Sequence, residues 1–123
     1  MNNIHVSELQ PAHLPQLADY WFTSPSVYLE SLGVDVQKLP SRADFIAQIS
    51  AQIALSPTER NSFALVWQLN GAAVGHANLN PFVFAKEGYL HLHLWQGEAR
   101  QQGLGMAFLQ QSLPIFFESL QLQ

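Results

Sequence analysis

The chain has 123 residues, a net charge of -4, 48% hydrophobic side chains and only 11% charged ones, where ordinary usage is about 25% charged. That is enough for one domain over 1–123 with its own core; the lack of any Lys/Arg run argues against nucleic-acid or acidic-membrane partners, and the lack of cysteine removes disulfides, thiolate nucleophiles and cysteine-based zinc sites. The N-terminus carries no signal-peptide pattern and no apolar run is long enough to span a bilayer, so the reading is a soluble, cytoplasmic protein. Its polar surface comes largely from Gln, Asn, Ser and His, which guard weakly against self-association.

Ile4 to Leu9 reads as a short strand, ended by Gln10 and Pro11. Leu14, Leu17 and Trp21 recur at helical spacing, with Pro15 tolerable in the first turn. Ser24-Pro25 reads as an N-cap and first helical residue of a short helix through Val27, Tyr28 and Leu32, closed by Gly33. Ser41 and Asp44 form a capping-box pattern. Behind them Phe45, Ile46, Ile49 and Ile53 mark one helix face, and Ser56-Pro57 ends it.

From Phe63 the period changes to two. Phe63, Leu65, Trp67 and Leu69 alternate with Ala64, Val66 and Gln68, then Asn70-Gly71 signals a hairpin. Ala72 to Leu79 returns, Pro81 interrupts it, and Phe82 to Phe84 continues extended. Lys86 to Gly88 is expected to turn into a strand from Tyr89 to Gln96. A helix from Gly105 to Ser119 follows, which Pro114 should kink or interrupt.

The stretch Leu90 to Met106 reads as strand, glycine-bearing turn and helix start. Such a turn presents free backbone N–H groups at a helix N-terminus, where a phosphate binds. Gly103 lets a ligand approach the backbone and Gly105 tightens the turn. An ordinary strand-to-helix turn accounts for the pattern equally well. No Gly-x-x-x-x-Gly-Lys-Ser/Thr is present, and no third glycine or βαβ unit supports a dinucleotide fold.

Arg100-Gln-Gln-Gly-Leu-Gly105 resembles the Arg/Gln-x-x-Gly-x-Gly/Ala motif of the GNAT (Gcn5-related) N-acetyltransferases. The order strand, two helices, three-strand meander, loop and helix resembles that fold too. The resemblance implies an α/β (α+β) architecture: a mixed, mainly antiparallel sheet flanked by helices. It implies acetyl-CoA as co-substrate and a primary amine as acceptor. Arg100, Gln101, Gln102, Gly103, Leu104, Gly105 and Met106 would hold the pyrophosphate through the main chain. Leu94, Trp95 and Gln96 would bond the pantetheine arm and the thioester carbonyl, where a backbone N–H stabilises the developing oxyanion. Tyr20, Trp21 and Tyr28 would lie over the acceptor site, with core packing as their default role. Family domains continue with a further strand, helix and hairpin, of which Leu120 to Gln123 resembles only the start, so a truncated domain is expected.

The residues themselves suggest a base. His91, His93 and Trp95 share one strand face, as do His76, Asn78 and Asn80 on the neighbouring strand. If the two faces coincide, His93 or His91 can take the amine's proton. A partly solvated polar face is the plainer account of such histidines. With no acid or thiolate beside them, the reading assigns no metal. An exposed edge on the pre-motif strand predicts a homodimer. The rival class is a non-catalytic CoA-binding or homodimerising module with the same fold.

Overall fold

The computed structural model describes residues 3–95 and 104–123. In chain order the elements are β1 (Ile4–Glu8), α1 (Leu14–Thr23), α2 (Ser26–Ser31), α3 (Arg42–Ala54), β2 (Phe63–Leu69), β3 (Ala72–Val83), β4 (Glu87–Leu94) and α4 (Leu104–Leu120). Among the described residues the strands form one antiparallel sheet in the order β1-β2-β3-β4. The mixed α+β class is the expected one.

Because side chains alternate along a strand, the sheet has two distinct faces, and both are covered. Phe63, Leu65, Trp67, Ala77, Leu79 and Leu94 point to one face. α4 covers it with Leu104, Phe108, Ser112, Phe116 and Leu120, a stripe at spacing four. The Trp67 ring stacks on Phe108 at 4.9 Å and 4°. Its Nε1 donates to Ser112 Oγ at 2.9 Å, and Ser112 donates onward to the Phe108 carbonyl at 2.8 Å. The other face carries Val66 and Ala64, packed against Leu9, Leu14, Leu17 and the half-buried apolar face of α3.

Local chemistry explains the boundaries. Asn70 (φ 53°) and Gly71 (φ 87°) both take positive φ, as a two-residue hairpin turn between paired Leu69 and Ala72 requires. Ser41 Oγ caps α3 by accepting from the Asp44 N–H at 3.1 Å.

Several details differ from expectation. α2 starts at Ser26 with Pro25 at its N-cap, because Ser24 Oγ donates backward to the Tyr20 carbonyl. Glu87 and Gly88 belong to β4, and the turn lies at 84–86 with Ala85 at φ 63°. A Cβ at Gly88 would come within 2.7 Å of the Phe82 Cβ, so glycine permits the close pairing of Gly88 with Phe82. α4 runs through Pro114 uninterrupted. Pro114 and Gln110, whose carbonyl loses its helical donor, both lie on the exposed side of the helix.

Gly75 faces Leu94 across β3 and β4, and a Cβ there would run into the His93 carbonyl and lie 3.1 Å from the Trp67 ring. Gly75→Ala is therefore expected to destabilise the fold by about 1–3 kcal/mol, as over-packing of a filled core does. Urea denaturation checks this; an unchanged midpoint would show that the β3–β4 pairing tolerates the methyl.

Candidate active site

The two polar strand faces coincide. His76 pairs with His93 and Asn78 with His91. The imidazoles of His76 and His93 stack at 4.8 Å and 16°. α1 lies over them and supplies Tyr20, whose hydroxyl is 2.9 Å from His93 Nδ1 and 2.8 Å from the Tyr28 hydroxyl. Trp21 sets its ring 5.0 Å from that of His93. From the end of β4, Trp95 Nε1 donates to His76 Nδ1 at 2.9 Å. His91 lies further out, with Nε2 3.1 Å from the Asn80 carbonyl.

The histidines are graded by depth: His76 is 1% exposed, His93 half-buried and His91 exposed. A plain solvated face therefore does not describe them. The indole N–H can only donate, so His76 Nδ1 accepts and its ring is neutral with the proton on Nε2. Burial holds the His76 pKa well below the usual 6.5, and the neighbouring His93 and His91 lower it further. Stacked rings do not converge their nitrogens on one point. Among the described residues no group of three His, Cys, Asp or Glu is placed to hold a metal ion.

The expected cofactor residues fall in three groups. Gln96, Arg100, Gln101, Gln102 and Gly103 lie outside the described residues. Trp95 donates its backbone N–H to the Val74 carbonyl at 2.8 Å. By alternation the N–H groups of Leu92 and Leu94 point away from β3, toward the sheet's outer edge. On α4, Leu104 is buried in the core, Gly105 is half-buried and Met106 is exposed. A groove of about 310 Å³ runs from Gly105 past Leu92, His93 and Leu94 to Tyr28 and Leu32. A second cavity, about 270 Å³, is bounded by His91, His93, Trp21 and Val34. His93 borders both.

No protein-family model matches the chain, and no curated protein does. Solved structures do match. The spermidine/spermine N-acetyltransferase SpeG of Vibrio cholerae, in mutant form, superposes with a TM-score of 0.68 at 12% identity over 97% of this chain and 65% of its own. The Salmonella typhimurium acetyltransferase that modifies the N-terminal serine of ribosomal protein L7/L12 gives 0.61 at 13%, over 94% and 63%. The PaiA N-acetyltransferase of Thermoplasma acidophilum, in complex with coenzyme A, gives 0.61 at 16%, over 94% and 73%. The chain has the fold of the GNAT N-acetyltransferases and spans just under two thirds of the first two.

The buried neutral His76 makes stability depend on pH. Its folded pKa is lowered, so as pH falls through about 6.5 the unfolded chain takes up the proton first. Stability is full above that pH and falls below it, by at most about 1.4 kcal/mol per pH unit for one proton. Urea midpoints compared between pH 8 and pH 5 should fall more steeply for the wild type than for His76→Gln; coincident slopes would remove His76 as the source.

Proposed function

We propose that this chain forms the acetyl-CoA-binding part of an N-acetyltransferase that moves an acetyl group to a primary amine by direct attack. The observation that carries the reading is that His93 borders both the groove leading from Gly105 and the cavity beneath Trp21. A thioester laid along β4 and an amine entering under Trp21 would meet beside one imidazole.

In this reading the main chain from Arg100 to Met106 holds the pyrophosphate, aided by the N-terminal dipole of α4. The outer edge of β4 around Leu92 and Leu94 guides the pantetheine arm. The amine nitrogen attacks the thioester carbonyl carbon, the C–N bond forms, and the C–S bond breaks. His93 takes the amine's proton, CoA leaves as thiolate, and the thiolate is protonated from solvent. Tyr20 and Tyr28 orient the His93 ring through their hydroxyl chain. His91, exposed and bonded to Asn80, is the second-choice base.

A second reading, a non-catalytic CoA-binding or homodimerising module, is favoured by the β4 edge, where Leu90 and Leu92 are 39% and 40% exposed. A second copy pairing there would bury them. Light scattering should then give a dimer, and a monomer at all concentrations would remove that pairing.

Acetyl-CoA should raise the melting temperature saturably, and free CoA should appear with at least one of a panel of amines. No thermal shift at millimolar acetyl-CoA would defeat the transferase and the CoA-binding module alike, leaving only the homodimerising one; a shift without CoA release leaves the binding module. His93→Ala should lower turnover about 10²–10⁴-fold and remove one limb of the pH–rate profile. An unaltered profile would exclude His93 as base.

A further inference from the structure

Behind the cavity at His91 and His93 lies a deeper one of about 150 Å³, between α3 and the sheet. Phe45, Ile49 and Ile53 of α3 and Leu17 of α1 make its apolar walls, and His76 and Asn78 its polar floor. Trp21, Asn78 and Asn80 border both spaces, so the deeper one adjoins the site. It exists because α3 stands off the sheet: its apolar face is only half-buried, and none of its residues is fully so.

Size, charge and polarity restrict what this space accepts. An apolar cavity of about 150 Å³ admits a molecule the size of benzene. Among the described residues no Asp or Glu borders either cavity. Arg60, at the rim of the deeper one, is already matched by Glu8 at 3.1 Å and by the Ile53 and Leu55 carbonyls at 2.8 Å each. A second ammonium group, as in a polyamine, would lose its hydration there without a counter-charge. One polar group is unmatched: Asn78 Oδ1 is buried with no hydrogen-bond partner among the described residues. Such an orphan is costly, and the broad χ2 well of Asn lets the amide swing toward either cavity.

We infer that the deeper cavity binds the body of the acceptor: a neutral, apolar group about one aromatic ring in size, carrying a hydrogen-bond donor for Asn78. A short arm brings its primary amine to His93. This rests on the acetyl-transfer reading, but the binding itself does not require turnover.

The test titrates the full chain calorimetrically with tyramine, phenethylamine and spermidine, and measures CoA release with each in parallel. Tyramine, which has ring, donor and arm, is expected to bind at least about tenfold more tightly than spermidine. Ile49→Phe fills the cavity and should weaken tyramine about tenfold without altering acetyl-CoA binding; Ile53→Phe repeats the test one turn on should the first variant fail to fold. Asn78→Ala should weaken tyramine about fivefold and leave phenethylamine, which lacks the hydroxyl, within about twofold. Spermidine binding as well as tyramine, or tyramine binding untouched by the filling variants, overturns the pocket even if CoA is released. Tyramine binding that obeys these rules with no CoA release from any amine upholds the pocket and overturns the transfer reading instead.

Discussion

The register between β3 and β4 is the constraint on which the site depends. Pairing Gly75 with Leu94 puts His76 opposite His93 and Asn78 opposite His91. A slip of one residue would turn the β4 histidines into the hydrophobic layer under α4 and bring its leucines to the polar side. Two features hold the register. Gly75 leaves room for the His93 carbonyl beside the Trp67 ring, and the Trp95 N–H closes the ladder on Val74. The leucines of β4 add the hydrophobic preference, since Leu94 is buried beneath α4.

The opposite face fixes where the groove begins. The Trp67–Phe108 stack and the bond from the indole to Ser112 lock α4 against β2. Leu104, at the head of the same stripe, is thereby seated in the core while Gly105 opens onto the groove beside β4. The far end of α4 is tied as well: the Leu120 carbonyl accepts from Ala85, and the Lys86 carbonyl accepts from Gln123. Core packing thus places Gly105, in the first turn of α4, on the same groove as His93.

Much of this was legible because period-two patterns map directly onto faces. Phe63 to Leu69, the Asn70-Gly71 turn and the shared side of His76, His91 and His93 needed only alternation. Ser41 was legible because capping is local. What depended on tertiary contact was not. Ser112 looks like any polar residue of a helix until Trp67 brings its indole N–H. Tyr20 takes core packing as its default role, and only docking of α1 shows that its hydroxyl meets His93 and Tyr28. The depth of His76 was equally hidden, because burial comes from Tyr20, Trp21 and Trp95 arriving from other elements. Pro114 misled because sequence alone does not show that the carbonyl it strips of a donor, that of Gln110, lies on the exposed side of the helix.

α3 shows how the same economy of contacts leaves room for a ligand. Polar bonds near its ends, more than deep burial, hold it in place. Arg42, in its first turn, meets Asp19 at 2.9 Å and the Pro15 carbonyl at 3.2 Å, and Arg60 reaches back to the carbonyls of Ile53 and Leu55. Interiors normally close such gaps, because each missing contact forfeits dispersion energy. The gap here adjoins the polar cluster of His76, Asn78 and His93, and Asn78 Oδ1 has no hydrogen-bond partner among the described residues. Loose packing and an orphaned acceptor are both unfavourable for folding alone, and their coincidence beside His76 is the ground for the acceptor pocket proposed there.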